Sequence, residues 1–114
     1  MNDLILKIKN ALDVPVFCRM TTHTGECVLW DWWTTLQMNS CEKVRLQITI
    51  IGDTTESTLA NAEKIKSAIL TTGDEPFNEE IFQVALNGGG TLYDEARQMQ
   101  HRYLYFDIIK RGVL

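Results

Sequence analysis

The sequence predicts an α+β domain in which two helices pack on one face of a mostly antiparallel sheet of four to five strands. Three observations carry that prediction. Residues 2–12 and 53–69 repeat apolar side chains every three or four positions, the period of an amphipathic helix. Residues 43–51 alternate apolar and polar side chains without a break, the period of a half-buried strand. The 114 residues fit a single hydrophobic core, so 1–114 reads as one domain.

The elements follow in order. Asn2 is placed to cap a first helix whose apolar stripe is Leu4, Ile8 and Leu12 with Ile5 and Ala11 beside them, and Asp13 and Pro15 end it. "PVFCRM" (15–20) reads as a short strand, "TTHTG" (21–25) as a turn, and "ECVLWDWWT" (26–34) as a longer strand returning beside the first. That hairpin would set Cys18 nearly opposite Cys27, both as small buried hydrophobes, with His23 at the turn.

After the polar break "LQMNSCE" (36–42), Val44, Leu46, Ile48 and Ile50 point one way and Lys43, Arg45, Gln47 and Thr49 the other. Asp53 and Glu56 suggest a capping box for a second helix with Leu59, Ala62, Ile65 and Ile69 on one side, stopped by Gly73. "GDEPFNE" (73–79) is a loop, and residues 80–86 and 101–110 are two further strands. Between them Gly88, Gly89 and Gly90 supply backbone freedom at a strand exit, and residues 91–100 form a hairpin arm or loop beyond the sheet.

Composition narrows the function classes. A formal net charge of −4 and a pI near 5.1 argue against a module held to nucleic acid by phosphate contacts. No apolar run approaches the roughly 20 residues that span a bilayer. Asp3, Lys7 and Lys9 interrupt the start where a signal peptide needs an apolar block, so the chain is expected in the cytosol when made. Cys18, Cys27 and Cys41 are an odd set without a CxxC pair, which predicts reduced thiols.

Chemistry is weakly signalled. The glycine run lacks the Gly-Lys-Ser/Thr ending of a P-loop, does not fit GxGxxG, and precedes a strand where a phosphate cradle needs a helix N-terminus. Cys18, His23, Cys27 and Cys41 have the wrong spacing for a zinc knuckle, so no metal or cofactor is expected. An enzyme using Cys18 or Cys41 with His23 or His101 has no local signature. The acidic pairs Asp74-Glu75, Glu79-Glu80 and Asp94-Glu95 lie in loops or at strand edges as solvated charge.

The sheet, in contrast, carries a surplus of apolar side chains. Two helices of about 11 and 16 residues shield one face of such a sheet. Yet Val28, Trp30 and Trp32 lie on one side of their strand with Cys27, Leu29 and Trp33 on the other, and Leu104, Phe106 and Ile108 oppose Tyr103, Tyr105 and Ile109. At about 25 cal/mol per Å² of apolar surface, exposing several large rings forgoes several kcal/mol, which predicts a partner, most simply another copy. The alternative is a longer loop folding over the second face. Trp30, Trp32, Trp33, Tyr103 and Tyr105 are therefore candidate interface residues, and in the arm Leu92, Tyr93 and Met99 would anchor a neighbour while Asp94, Glu95 and Arg97 set register.

A helix running into "DVPVFCRM", then "GECVLWDWW", the alternating "VRLQITIIGD", an amphipathic helix and "FQVALNGGGTLYDEARQMQHRYLYFDIIKR" resembles the small tail terminator proteins of long-tailed bacteriophages and prophages, also labelled tail completion or minor capsid proteins. The likeness is carried by the short first helix leading into Val14-Pro15-Val16 and by the polar "YDEARQMQ" ahead of "HRYLYFDI"; the glycine triplet and "WDWW" have no counterpart in that pattern. The resemblance implies a non-enzymatic subunit of a virion tail, made in the host cytoplasm, forming a ring of six at the head-proximal end. Such a ring stops tube polymerisation, contacts the tail tube protein and the head-completion (neck) protein, and lets DNA pass as cargo, with no membrane contact. The loops 91–100 and 36–42 are its candidate contacts. Two other classes stay open: a small ferredoxin-like ligand-binding or regulatory module with its ligand at the glycines, and a cysteine enzyme.

Overall fold

The computed structural model describes residues 1–38 and 40–112. Helix α1 spans Asn2–Ala11, followed by strands β1 (Val16–Cys18), β2 (Cys27–Gln37) and β3 (Cys41–Gly52), helix α2 (Thr55–Ile69), and strands β4 (Ile81–Asp94) and β5 (Met99–Arg111). The five strands form one sheet in the order β1-β2-β3-β5-β4, antiparallel throughout except for the β1–β2 pair. This is the α+β architecture that periodicity predicts. The order α-β-β-β-α-β-β departs from the β-α-β-β-α-β of a ferredoxin-like module.

Both helices lie on one face. The buried stripe of α1 is Leu4, Ile5 and Ile8, and that of α2 is Thr58, Asn61, Ala62, Ile65 and Ile69. They close over Val28, the alternating Val44, Leu46, Ile48 and Ile50, and Leu104, Phe106 and Ile108, with Ile81 and Val84 at the β4 side. Arg102, on the same face, donates from Nε to Thr58 Oγ1 at 3.3 Å and so ties β5 to the first turns of α2. Fully burying each of these aliphatic or aromatic side chains contributes about 1.5–3 kcal/mol, so this row dominates the stability of the domain.

Local corrections to the sequence reading have simple causes. Asn2 is the first helical residue and Met1 the N-cap, without a side-chain cap bond. The capping box of α2 sits one residue later than expected: Thr54 Oγ1 accepts from the Ser57 N–H at 3.0 Å while the Thr54 N–H reaches Ser57 Oγ at 3.4 Å. Threonine and serine satisfy the same two orphan groups that Asp53 and Glu56 would have. Ala62, Ile65 and Ile69 face inward as expected, while Leu59 lies outward and Thr58 and Asn61 complete the buried stripe.

The β1–β2 hairpin is a correction of topology. The strands run parallel, with Val16 beside Val28 and Cys18 beside Trp30. A parallel pair needs a crossover, and residues 19–26 provide it by crossing the open face rather than by turning tightly. Cys18 is therefore exposed and Cys27 buried, so the two do not face each other. The break at 36–42 is also shorter than predicted, since β2 runs to Gln37 and β3 starts at Cys41; Asn39 within it lies outside the described residues.

The glycines are not at a strand exit. β4 continues through them to Asp94 and pairs with β5 along its whole length, with a bulge between Leu86 and Gly88. Gly88 has φ +143°, a region side chains rarely adopt, and a Cβ on Gly89 would lie 2.3 Å from the Tyr103 carbonyl oxygen. Gly90 faces open space. Gly88 thus serves the bulge and Gly89 the close approach of β5, and the arm beyond them is an ordered hairpin closed by residues 95–98.

Candidate protein interface

The face turned away from the helices is built in rows across the strands. From the α2 end these are Cys27, Ile51, His101 and Leu92; Leu29, Thr49, Tyr103 and Gly90; Asp31, Gln47, Tyr105 and Gly88; then Trp33, Arg45, Asp107 and Ala85. The first row is covered over β2 and β3, where Cys27 and Ile51 are buried, and open at Leu92. Cys27, Ile51 and Met99 form a second small core with Phe17 and Leu29 packed on it, and His23 in the 19–26 crossover stacks against Phe17 at a centroid distance of 5.7 Å. A loop over the second face therefore exists, but only at one end.

The middle of this face is polar, unlike the oily surface that strand alternation predicts. Asp107 gathers Arg45 at 3.1 Å, Lys43 at 3.8 Å and the Asn87 amide. Asn87 is the bulged residue of β4, so the glycine bulge is also what turns this amide toward Asp107. Asp31 is held by Arg19 Nε at 3.1 Å. Around this ionic centre Trp33, Tyr103, Tyr105 and Ile109 remain partly or largely accessible, and Trp33 keeps 41% of its surface.

The structure separates the predicted interface residues into three groups. Trp30 and Trp32 are half-buried on the helix-covered face, against the main core. Trp33, Tyr103 and Tyr105 share the open face. In the arm, Leu92 (57% exposed) and Tyr93 (47%) point outward together with Glu95 and Arg97, whereas Met99 is 6% exposed and packs inside the small core. Asp94 is partly buried: its Oδ1 accepts the Ala96 and Arg97 N–H groups at 3.1 and 3.3 Å, so it shapes the turn.

Leu36 (52% exposed) and Met38 are accessible within the 36–42 segment taken as a candidate contact, whereas sequence reasoning passed over Phe82 and Leu86, accessible apolar side chains on β4. Their strands were recognised in part, but which strand lies at a sheet edge depends on the pairing order and leaves no mark in local alternation.

Groups with chemical potential are dispersed. Cys27 and His101 share a row but are separated by Ile51, and burial pushes the Cys27 thiol up while Arg97 opposes that shift more weakly. The Nε2 of His101 is buried without a hydrogen-bond partner among the described residues, 3.8 Å from Asp94 Oδ2. No group of three or more His, Cys, Asp or Glu side chains among the described residues is placed to hold a metal. No helix is long and apolar enough to cross a membrane. The arrangement offers protein-binding chemistry: partly exposed rings around fixed charges, and two long strand edges.

No family model matches the chain, and no curated protein matches it in sequence. Among solved structures, a chain from the virion of a native gene transfer agent particle is similar with a TM-score of 0.70 at 14% identity, over 96% of this chain and 92% of that one. The likeness spans both chains almost end to end and shows that the fold is shared.

Proposed function

We propose that this chain is a structural protein of a phage-type virion that assembles with copies of itself into a ring, of six subunits, on the end of the tail tube. There it stops tube polymerisation and offers the surface on which the head-completion protein joins. The observation that carries this reading is the fold shared with a gene transfer agent virion chain over nearly the full length of both. The exposed Trp33, Leu92 and Tyr93 support it, since apolar groups of this size at a surface mark contact with other proteins. The mechanism is one of geometry: one side of the ring matches the last ring of tube protein, the other matches the neck. A net charge of −4 suits passage of DNA through the lumen, because a basic lining would retain it.

Electron microscopy of particles produced without this chain tests the proposal. Overlong tubes lacking heads are the expected outcome, and tails of normal length joined to heads would refute it. Restoring the chain in trans must then restore both length and joining.

A further inference from the structure

The two edges of the sheet, along β2 beyond the short β1 and along β4, are each half occupied. β1 covers β2 only at residues 28–30, so no described strand pairs with the outer edge of β2 from Asp31 to Gln37. On the far side, Thr71 caps the lower part of β4: its N–H donates to the Val84 carbonyl at 3.2 Å and its Oγ1 accepts the Val84 N–H at 3.0 Å. The Phe77 and Asn78 N–H groups close the Ile81 carbonyl. Above the bulge, residues 88–94 of β4 pair with β5 on one side, and no described strand lies on the other.

Exposed edges are normally guarded by lysine or proline. Neither edge is guarded in this way. Residues 32–38 (WWTTLQM) and 81–93 (IFQVALNGGGTLY) contain no charged residue and no proline.

Resting on the ring reading above, we propose that the free edge of β2 in one copy pairs with the free upper edge of β4 in the next, joining the sheets of neighbouring subunits. Within one sheet β2 and β4 run antiparallel, so a neighbour rotated about an axis to which the strands tilt by about 45° presents its β4 antiparallel to β2 and shifted along it by about 20 Å, which brings the two free edges level. The two edges lie on opposite sides of the subunit, which makes the contact head-to-tail and able to close into a ring.

Side chains agree with a register that sets Thr34 opposite the neighbour's Thr91. Trp33 and Leu92 both belong to the open face and become neighbours there, while Trp32 and Tyr93 meet on the helix-covered face. At the end of this run Asp31 lies opposite the neighbour's Asp94, and the well-exposed Arg19, bonded to Asp31, is the cation that bridges the two carboxylates.

The footprint predicts that assembly is templated by the tube end. Seven residues of edge measure about 23 Å by about 10 Å, far below the roughly 800 Å² per partner of a stable binary interface. One such contact is weak, and a ring gives every copy two.

Disulfide trapping tests the pairing. In a background with Cys18→Ser and Cys41→Ser, Thr34→Cys and Thr91→Cys are combined, and the protein is oxidised at high concentration and on purified tube ends. The two sites are three strands apart within one copy, about 14 Å across the sheet, so a bond between them forms only between copies. The expected result is a covalent ladder ending at ring size for the double variant and monomer for each single variant. Rings seen by native mass spectrometry or microscopy without that ladder overturn the edge pairing and leave the ring reading standing. Absence of any oligomer under both conditions overturns both. As a second arm, Leu92→Lys places a charge on the exposed edge: loss of assembly with an unchanged thermal midpoint supports the pairing, and rings of Leu92→Lys protein refute it.

Discussion

Replacing Glu26 with alanine is expected to loosen the whole α2 end of the domain. Its Oε2 accepts the Asp53 N–H at 2.9 Å and the Ser57 hydroxyl at 2.7 Å, bracing the start of β2 against the end of β3 and the cap of α2. The backbone bond first, and the hydroxyl second, hold the Glu26 carboxyl below its usual range, against a smaller opposing effect of burial. Two hydrogen bonds to a charged acceptor beside a helix N-terminus, discounted for solvent access, give a loss of about 1.5–2.5 kcal/mol for Glu26→Ala and about 0.5–1 kcal/mol for the shape-conserving Glu26→Gln. With an unfolding entropy of about 2.1 cal/mol/K per residue, the alanine variant melts roughly 6–10 °C lower. Because the folded-state pKa lies below the unfolded value, the bonus is complete above about pH 4.3 and disappears as pH falls through the folded value. Urea titrations of wild type and both variants at pH 7 and at about pH 3 measure this directly. A neutral-pH difference below about 0.5 kcal/mol for alanine, or a gap that fails to narrow in acid, refutes the bracing role.

Other consequences are as direct. Gly89→Ala forces a Cβ into the Tyr103 carbonyl and should cost about 2 kcal/mol or more in urea unfolding, while Gly90→Ala, facing open space, should stay within about 0.5 kcal/mol. A thiol reagent should modify exposed Cys18 rapidly and leave Cys27, buried and with its thiol pushed up, unmodified until the protein unfolds; mass mapping of the labelled peptides decides. Asp107→Ala strands Arg45 and Lys43 on the open face and should cost about 1–2 kcal/mol, an effect that high salt reduces and that melting in 0.1 M and 1 M salt reads out.

Much of the architecture was legible because it is written in periodicity. Lys43 to Ile51 alternates so regularly that β3 and its two faces followed at once, and the α1 stripe of Leu4, Ile5 and Ile8 was equally plain. What escaped depends on distant pairing. Nothing local to "PVFCRM" tells a strand whether its neighbour runs parallel, so the hairpin reading of Cys18 and Cys27 failed. Three glycines usually punctuate, and only the bulge opposite Phe106 and Tyr105 explains how a strand continues through them. For the candidate interface, aromatic content pointed to Trp33, Tyr103 and Tyr105, but the ionic knot at Asp107 joins residues from three strands and appears only once these are laid side by side.

The strand order also bears on how the chain comes to be folded at all. β5 is the last of the five strands to be made, yet it lies inside the sheet between β3 and β4, and Cys41 finds its partner only in Arg111. While the chain is still on the ribosome, β3 and β4 have no common neighbour, and the hydrogen-bonding edge of β3 that β5 takes must wait unpaired. Such distant pairing slows folding and leaves sticky intermediates. Chaperone dependence during synthesis, and poor recovery of fragments that stop short of residue 99, would be its signature in the cell.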